Sequence, residues 1–163
     1  MGRMAINSDD SDPKDMIHCH QGTQVKIPSF TKHIPVYSLV GINQNVIVIP
    51  YDVEYHVGGF VINEINKAVI FENGNSADMT FGVPDNHHCD IYIMKNGPHI
   101  DETDSYYWET YDTNYHVYVP VGTKQQYVEA CNGHYDPDLF VEFDPETDET
   151  FLSLMEEYNN MEV

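Results

Sequence analysis

Eleven short apolar-rich runs follow one another from Gln24 to Phe143, and none is long enough to be a membrane span. They are Gln24–Pro28, Ile34–Val40, Asn45–Pro50, Tyr55–Ile62, Ala68–Phe71, Met79–Val83, Cys89–Met94, Tyr106–Thr110, Tyr115–Pro120, Gln125–Ala130 and Leu139–Phe143. Val, Ile and Tyr dominate them, side chains that fit a pleated, half-buried surface. Turn residues separate them: Gly41, Gly58-Gly59, Asn73-Gly74, Asn96-Gly97 and Asn132-Gly133. Asn-Gly suits turns that need positive φ. In the run Tyr115–Pro120, Tyr115, Val117 and Val119 fall on one side and His116 and Tyr118 on the other, the period of a two-faced strand. Short strands at this spacing predict an all-β fold, a β-sandwich or jelly-roll-like barrel.

One amphipathic helix is expected at the C-terminus. In Asp148–Asn160, Phe151, Leu154, Met155 and Tyr158 stand at helical spacing on one stripe. Asp148 and Glu149 suit the positive end of its dipole, and Pro145 precedes it. The expected organisation is a polar arm over 1–15, a β domain over 16–147, and the helix with an acidic tail over 148–163. No internal repeat is evident from the sequence.

Charge limits the partners. Twenty-seven Asp and Glu oppose seven Lys and Arg, so the formal charge is −20. Arg3 is the one arginine. Such a surface attracts a basic or cationic protein partner and repels nucleic acid and anionic membrane. Phosphate-cradling loops and their cations are missing, so direct nucleic-acid binding is not expected. The N-terminus carries no secretory signal pattern, and Cys19, Cys89 and Cys131 form no CxxC pair. Three reduced thiols and a cytoplasmic or virion location follow as expectations.

The stretch Ser105–Tyr118 supplies the partner-binding candidates: Tyr106, Tyr107, Trp108, Glu109, Tyr111 and Asp112. Tyrosine and tryptophan offer a broad apolar body with a polar tip, and interleaved carboxylates add ion pairing and cation–π contact. For metal binding the candidates are His87, His88 and Asp90, with His18 and His20 as a second group. The plainer reading of these histidines is loop and surface residues. No nucleophile elbow occurs, and carboxylate pairs carry little information in so acidic a chain.

Residues 68–130 resemble cupins in part. Asp90–Gly97 (DIYIMKNG) has the spacing of the first cupin motif from its acidic residue to its glycine, with His87-His88 upstream. Tyr118–Lys124 (YVPVGTK) looks like the start of the second. The chain departs from the pattern: adjacent histidines replace His-x-His, Asp90 replaces a glutamate, and Gln125 stands where a ligand histidine is expected. The resemblance implies a jelly roll and a metal-dependent enzyme.

The expected function is a non-enzymatic acidic structural or interaction protein in a homo- or hetero-oligomeric assembly, such as a viral or phage accessory subunit, with no cofactor. The alternatives are a nucleic-acid-mimicking inhibitor and a metal-dependent cupin-like enzyme.

Overall fold

The computed structural model describes residues 24–34, 42–55, 65–74, 89–97, 115–130 and 136–163. Seven strands are described: β1 (His33–Ile34), β2 (Gln44–Ile49), β3 (Glu54–Tyr55), β4 (Ile65–Phe71), β5 (Asp90–Ile93), β6 (Val117–Pro120) and β7 (Phe140–Phe143). Two α-helices, α1 (Lys124–Ala130) and α2 (Glu149–Asn159), complete them. Strands β1 and β3 form a small parallel pair, and the other five form one sheet in the order β2-β4-β5-β6-β7.

Every neighbouring pair in that sheet is parallel. This overturns the all-β sandwich and the jelly roll, both of which are antiparallel; the architecture is α/β. The physical reason lies in the strands themselves. Val46–Ile49 and Ala68–Phe71 are buried at every position, because both faces of the sheet are covered. Uninterrupted burial is the mark of a parallel sheet with cover on both sides. Parallel neighbours also need long crossovers in place of hairpins. Asn73-Gly74 and Asn96-Gly97 therefore open crossovers. The run Gln125–Ala130, expected as a strand, belongs to helix α1, with Tyr127 fully buried.

Strand order follows chain order without reversal, so the sheet grows in one direction. Ile47 pairs with Val69, Val69 with Ile91, Ile91 with Val117 and Val117 with Phe140, offsets of 22, 22, 26 and 23 residues. These five residues make one apolar rung across the whole sheet, each at most 1% exposed. Val53, Cys89, Tyr115 and Tyr127, which lie in the crossovers, join the same core cluster. All described crossover residues of that core thus sit on one face, and the chain winds in coils. A near-constant coil length is the repeat that the sequence alone did not reveal.

Helix α2 covers the opposite face, where Val46, Val48, Ala68, Ile70, Tyr92 and Phe143 lie with Phe151 and Tyr158. It stands where the apolar stripe places it, and the Asp148 carboxylate caps it by accepting from Phe151 N at 2.8 Å. Its 11 residues span about 16 Å, against about 10 Å for the two strand-to-strand steps from β5 back to β2. The helix reaches that far. Phe151 meets Tyr92 and Phe143 with ring centroids 5.5 and 5.2 Å away. At the other end, the Ile27 amide donates to the Tyr158 hydroxyl at 3.2 Å. Glu157 accepts from Asn45 at 2.6 Å and from Lys67 at 2.9 Å. The Asn45 bond, then Lys67, holds the Glu157 carboxyl below its ordinary value of 4.5.

The edge at β2 is closed by the segment before it. The Gln44 side-chain amide accepts from Val25 N at 2.8 Å and donates to Val25 O at 3.1 Å, as a strand backbone would.

Replacing Phe151 by Ala should destabilise the fold by about 3–5 kcal/mol in denaturant unfolding, the usual cost of emptying a buried aromatic position. For Glu157, a lowered carboxyl pKa gives stability that is present above 4.5 and lost as pH falls through the folded value. Stability curves of Glu157→Gln should accordingly be flatter than wild type below pH 4.5. Parallel acid limbs would show that the contact contributes nothing.

Candidate interaction site

Where the strands end, a polar ladder joins the coils. Asn73 donates to Tyr51 O at 3.2 Å, and Asn96 donates to Asn73 Oδ1 at 2.9 Å and to Tyr51 Oη at 3.1 Å. Gly74 N donates to Lys95 O at 2.8 Å. A Cβ at Gly74 would lie 2.6 Å from Gly97 O, so the coils approach too closely there for any larger residue. The ladder is structural.

The opposite face of the sheet is a better candidate. Helix α2 reaches from Phe143 on β7 to Asn45 and Lys67 at β2, and near its start Tyr118 and Val141 keep part of their surface exposed. The middle row of that face runs Val48, Ile70, Tyr92, Tyr118 and Val141. The first three are buried. Tyr118 is half-buried and Val141 is 37% exposed. One row back, Asp90 is half-buried, and its carboxylate accepts from His116 N at 3.0 Å; His116 itself is exposed.

Aromatic packing holds this surface in place. Tyr118 stacks on Tyr92 with centroids 4.4 Å apart and planes 10° from parallel. Phe143 meets both rings edge-on, at 5.2 Å from Tyr92 and 6.2 Å from Tyr118. The His116 ring lies 6.1 Å from Tyr118. Burial first, then the negative charge of Asp90 and Asp148, raises the Tyr118 phenol above its ordinary 10. Tyr92 moves the same way for the same reasons, with Tyr118 as a further contributor. Both hydroxyls thus sit in a negative field and stay protonated at neutral pH.

A second feature adjoins this surface. Residues 136–163 hold ten Asp and Glu and not one Lys, Arg or His. Asp136, Asp138, Glu142, Asp144, Glu146, Glu149, Glu156 and Glu162 are exposed. The first six lie in or next to β7 and the turn into α2, and Glu156 and Glu162 lie at the other end of the helix, toward β2. Glu142 has a structural duty, accepting from Gly122 N at 3.0 Å and Lys124 N at 3.2 Å. Gly122, with φ 85°, takes a backbone conformation open to glycine.

The structure treats the sequence candidates unevenly. Tyr106, Tyr107, Trp108, Glu109, Tyr111 and Asp112 lie outside the described residues, as do His87, His88, His18 and His20. Asp90 is described, at the start of β5, and lies beside His116 and Tyr118. Among the described residues no group of three or more His, Cys, Asp or Glu is placed to hold a metal. The parallel sheet also removes the barrel that the cupin spacing presupposes, and Gln125 lies in α1. Tyr92 and Val141 were not singled out from the sequence, and Asp148 was singled out only for the start of the helix. Only the pairing across β5, β6 and β7 brings them to this surface.

The fold therefore defines an α/β protein with a singly wound parallel sheet. Set against family models, curated proteins and solved structures, the chain matches none of them. No helix among the described residues is long and apolar enough to cross a membrane.

Cys89 is fully buried, and burial, followed by the charge of Asp90, pushes its thiol up to about 12. At pH 8 only roughly one molecule in ten thousand then carries the thiolate. Iodoacetamide at pH 8 should label Cys89 only after denaturation, read by mass spectrometry of the peptide containing it. Rapid labelling of the native protein would contradict this burial.

Proposed function

We propose that this chain is a non-enzymatic interaction protein that binds a basic protein partner through its acidic C-terminal face. The observation that carries the reading is the run of ten carboxylates without one Lys, Arg or His over 136–163, eight of them exposed around β7 and α2. A one-signed surface of this kind focuses its field outward and speeds encounter with an oppositely charged surface. The scaffold beneath it is rigid, because β7 is paired to β6 and α2 is tied to β2 at its far end. Strand order adds support. Without a reversal in the described sheet there is no switch-point crevice of the kind in which open α/β enzymes hold their ligands.

The charges also guard β7, since an edge strand flanked by carboxylates does not pair with another acidic chain. Partner choice and edge protection then follow from the same residues.

The test is retention of the native partner on immobilised protein. It should bind at about 0.05 M salt and be released by about 0.5 M, where screening shortens to a few ångströms. A variant with Asp138→Asn, Glu146→Gln, Glu149→Gln and Glu156→Gln should hold it about ten-fold less tightly while unfolding at an unchanged denaturant midpoint. Binding indifferent to both salt and these substitutions would refute the proposal.

A further inference from the structure

The two edges of the sheet are finished differently. At β2 the Gln44 side chain binds both backbone groups of Val25, and the segment before the strand closes that edge. At β7 no further strand follows among the described residues. Phe140–Phe143 also holds no proline, no lysine and no break in its register with β6, the devices that commonly blunt an edge.

Backbone direction along β7 follows from its neighbours. In a parallel ladder the N–H and C=O of one residue point the same way, and successive residues alternate between the two neighbouring strands. The Ile91 amide donates to His116 O at 3.0 Å, so His116 and Tyr118 turn these groups toward β5. Val117 and Val119 then turn theirs toward β7. Their register partners are Phe140 and Glu142, so their bonds go to the flanking residues, Val141 and Phe143 among them. Phe140 and Glu142 consequently point their backbone groups outward, along the open edge. The Phe140 N–H is satisfied by Pro137 O. Phe140 O, Glu142 N–H and Glu142 O remain, and nothing among the described residues bonds to them.

The side chains beside this row differ in chemistry. Val141, 37% exposed, shares the α2 face with Tyr118, and exposed Glu142 shares the crossover face with Val119. Asp136 and Asp138 stand before the strand and Asp144 and Glu146 after it, all exposed. An extended segment lying along β7 would set alternate side chains beside Val141 and beside Glu142. Apolar groups match the first and lysine or arginine the second. The carboxylates at both ends of the strand favour basic residues again. A second copy of this chain is the wrong occupant, because it brings the same −20 charge and the same carboxylates to the edge.

We infer that β7 is the seat of an added strand: a short segment of the partner, alternately basic and apolar, pairs with Phe140 and Glu142 through main-chain bonds. The inference rests on the basic partner proposed above and names the mode of its attachment. The acidic face gives attraction over a distance, and the ladder fixes register.

Amide exchange in the labelled full chain, followed by NMR, tests this with the capped peptide Lys-Val-Lys-Val-Lys-Val-Lys. At saturation the Glu142 amide should exchange about ten-fold more slowly, while those of Val141 and Phe143, already bonded to β6, change little. A peptide with proline in place of valine carries the same charge and cannot complete the ladder, so it should leave Glu142 exchange unaltered. Glu142→Pro deletes the outward donor at a position where an edge strand accepts proline. It should bind the valine peptide about ten-fold more weakly than Glu142→Gln, which keeps the backbone donor and the acceptor for Gly122 and Lys124. The exchange measurement on the unaltered chain stands whether or not the proline variant folds. Unchanged Glu142 exchange at peptide saturation would overturn the inference. So would equal slowing by the proline peptide, or slowing on raising the protein concentration alone, which would assign the edge to a second copy. The outcome is separable from that of the retention assay. A partner that salt releases but that leaves Glu142 exchange unaltered removes the added strand and keeps the acidic face. Retention that ignores salt, with Glu142 slowed by the valine peptide, removes the acidic face and keeps the strand.

Discussion

Everything in this molecule depends on covering both faces of one parallel sheet. Five strands that run the same way cannot be joined by tight turns, and each must be followed by a crossover. The crossovers bury the rung from Ile47 to Phe140 on one side. That leaves Val46, Val48, Ala68, Ile70 and Tyr92 on the other side, where water would meet an apolar surface. Helix α2 closes it. The polar bonds at its far end, from Ile27 and Asn45 and Lys67, place the helix; the rings of Phe151 and Tyr158 supply the burial.

How much of this was legible beforehand differs from element to element. The alternation of Tyr115, Val117 and Val119 against Tyr118 was plain, and the structure puts the two sets on opposite faces of β6. The stripe of α2 and the acidic start of the helix were equally plain, and the structure makes Asp148 its N-cap. Strand direction was not. Counting short apolar runs with turn signals gave an all-β fold, yet Val46–Ile49 and Ala68–Phe71 are apolar at every position. Continuous runs of that kind belong to strands buried on both faces. A second signal lay in Ile70-Phe71-Glu72-Asn73-Gly74 and Ile93-Met94-Lys95-Asn96-Gly97, the same I-x-x-N-G pattern 23 residues apart. The two isoleucines fall on opposite faces because the register offset is 22 residues, but the Asn-Gly pairs both follow strand ends and the Asn73–Asn96 bond joins them.

The candidate site was legible only in part. The partner-binding candidates Tyr106, Tyr107, Trp108, Glu109, Tyr111 and Asp112 lie outside the described residues. The surface around Tyr118 draws on β5, β7 and the start of α2. No local pattern could gather Tyr92, Asp148 and Val141, because their proximity is created by parallel pairing and by the path of a helix across the sheet. The acidic run over 136–163 needed no structure to be seen. What the fold adds is the place of most of it at the end of the sheet.

The oblique path of α2 makes the helix a gauge of sheet width. One more coil of 22 to 26 residues could be inserted between existing strands without disturbing the rungs, since each strand touches only its neighbours. Between β2 and β5 the helix could follow one such step and no more. Its 11 residues span about 16 Å, enough for about 14 Å across three steps and too little for about 19 Å across four. A second inserted coil would pull Asn45 and Lys67 out of its reach, so growth of the sheet beyond that point requires further helical turns.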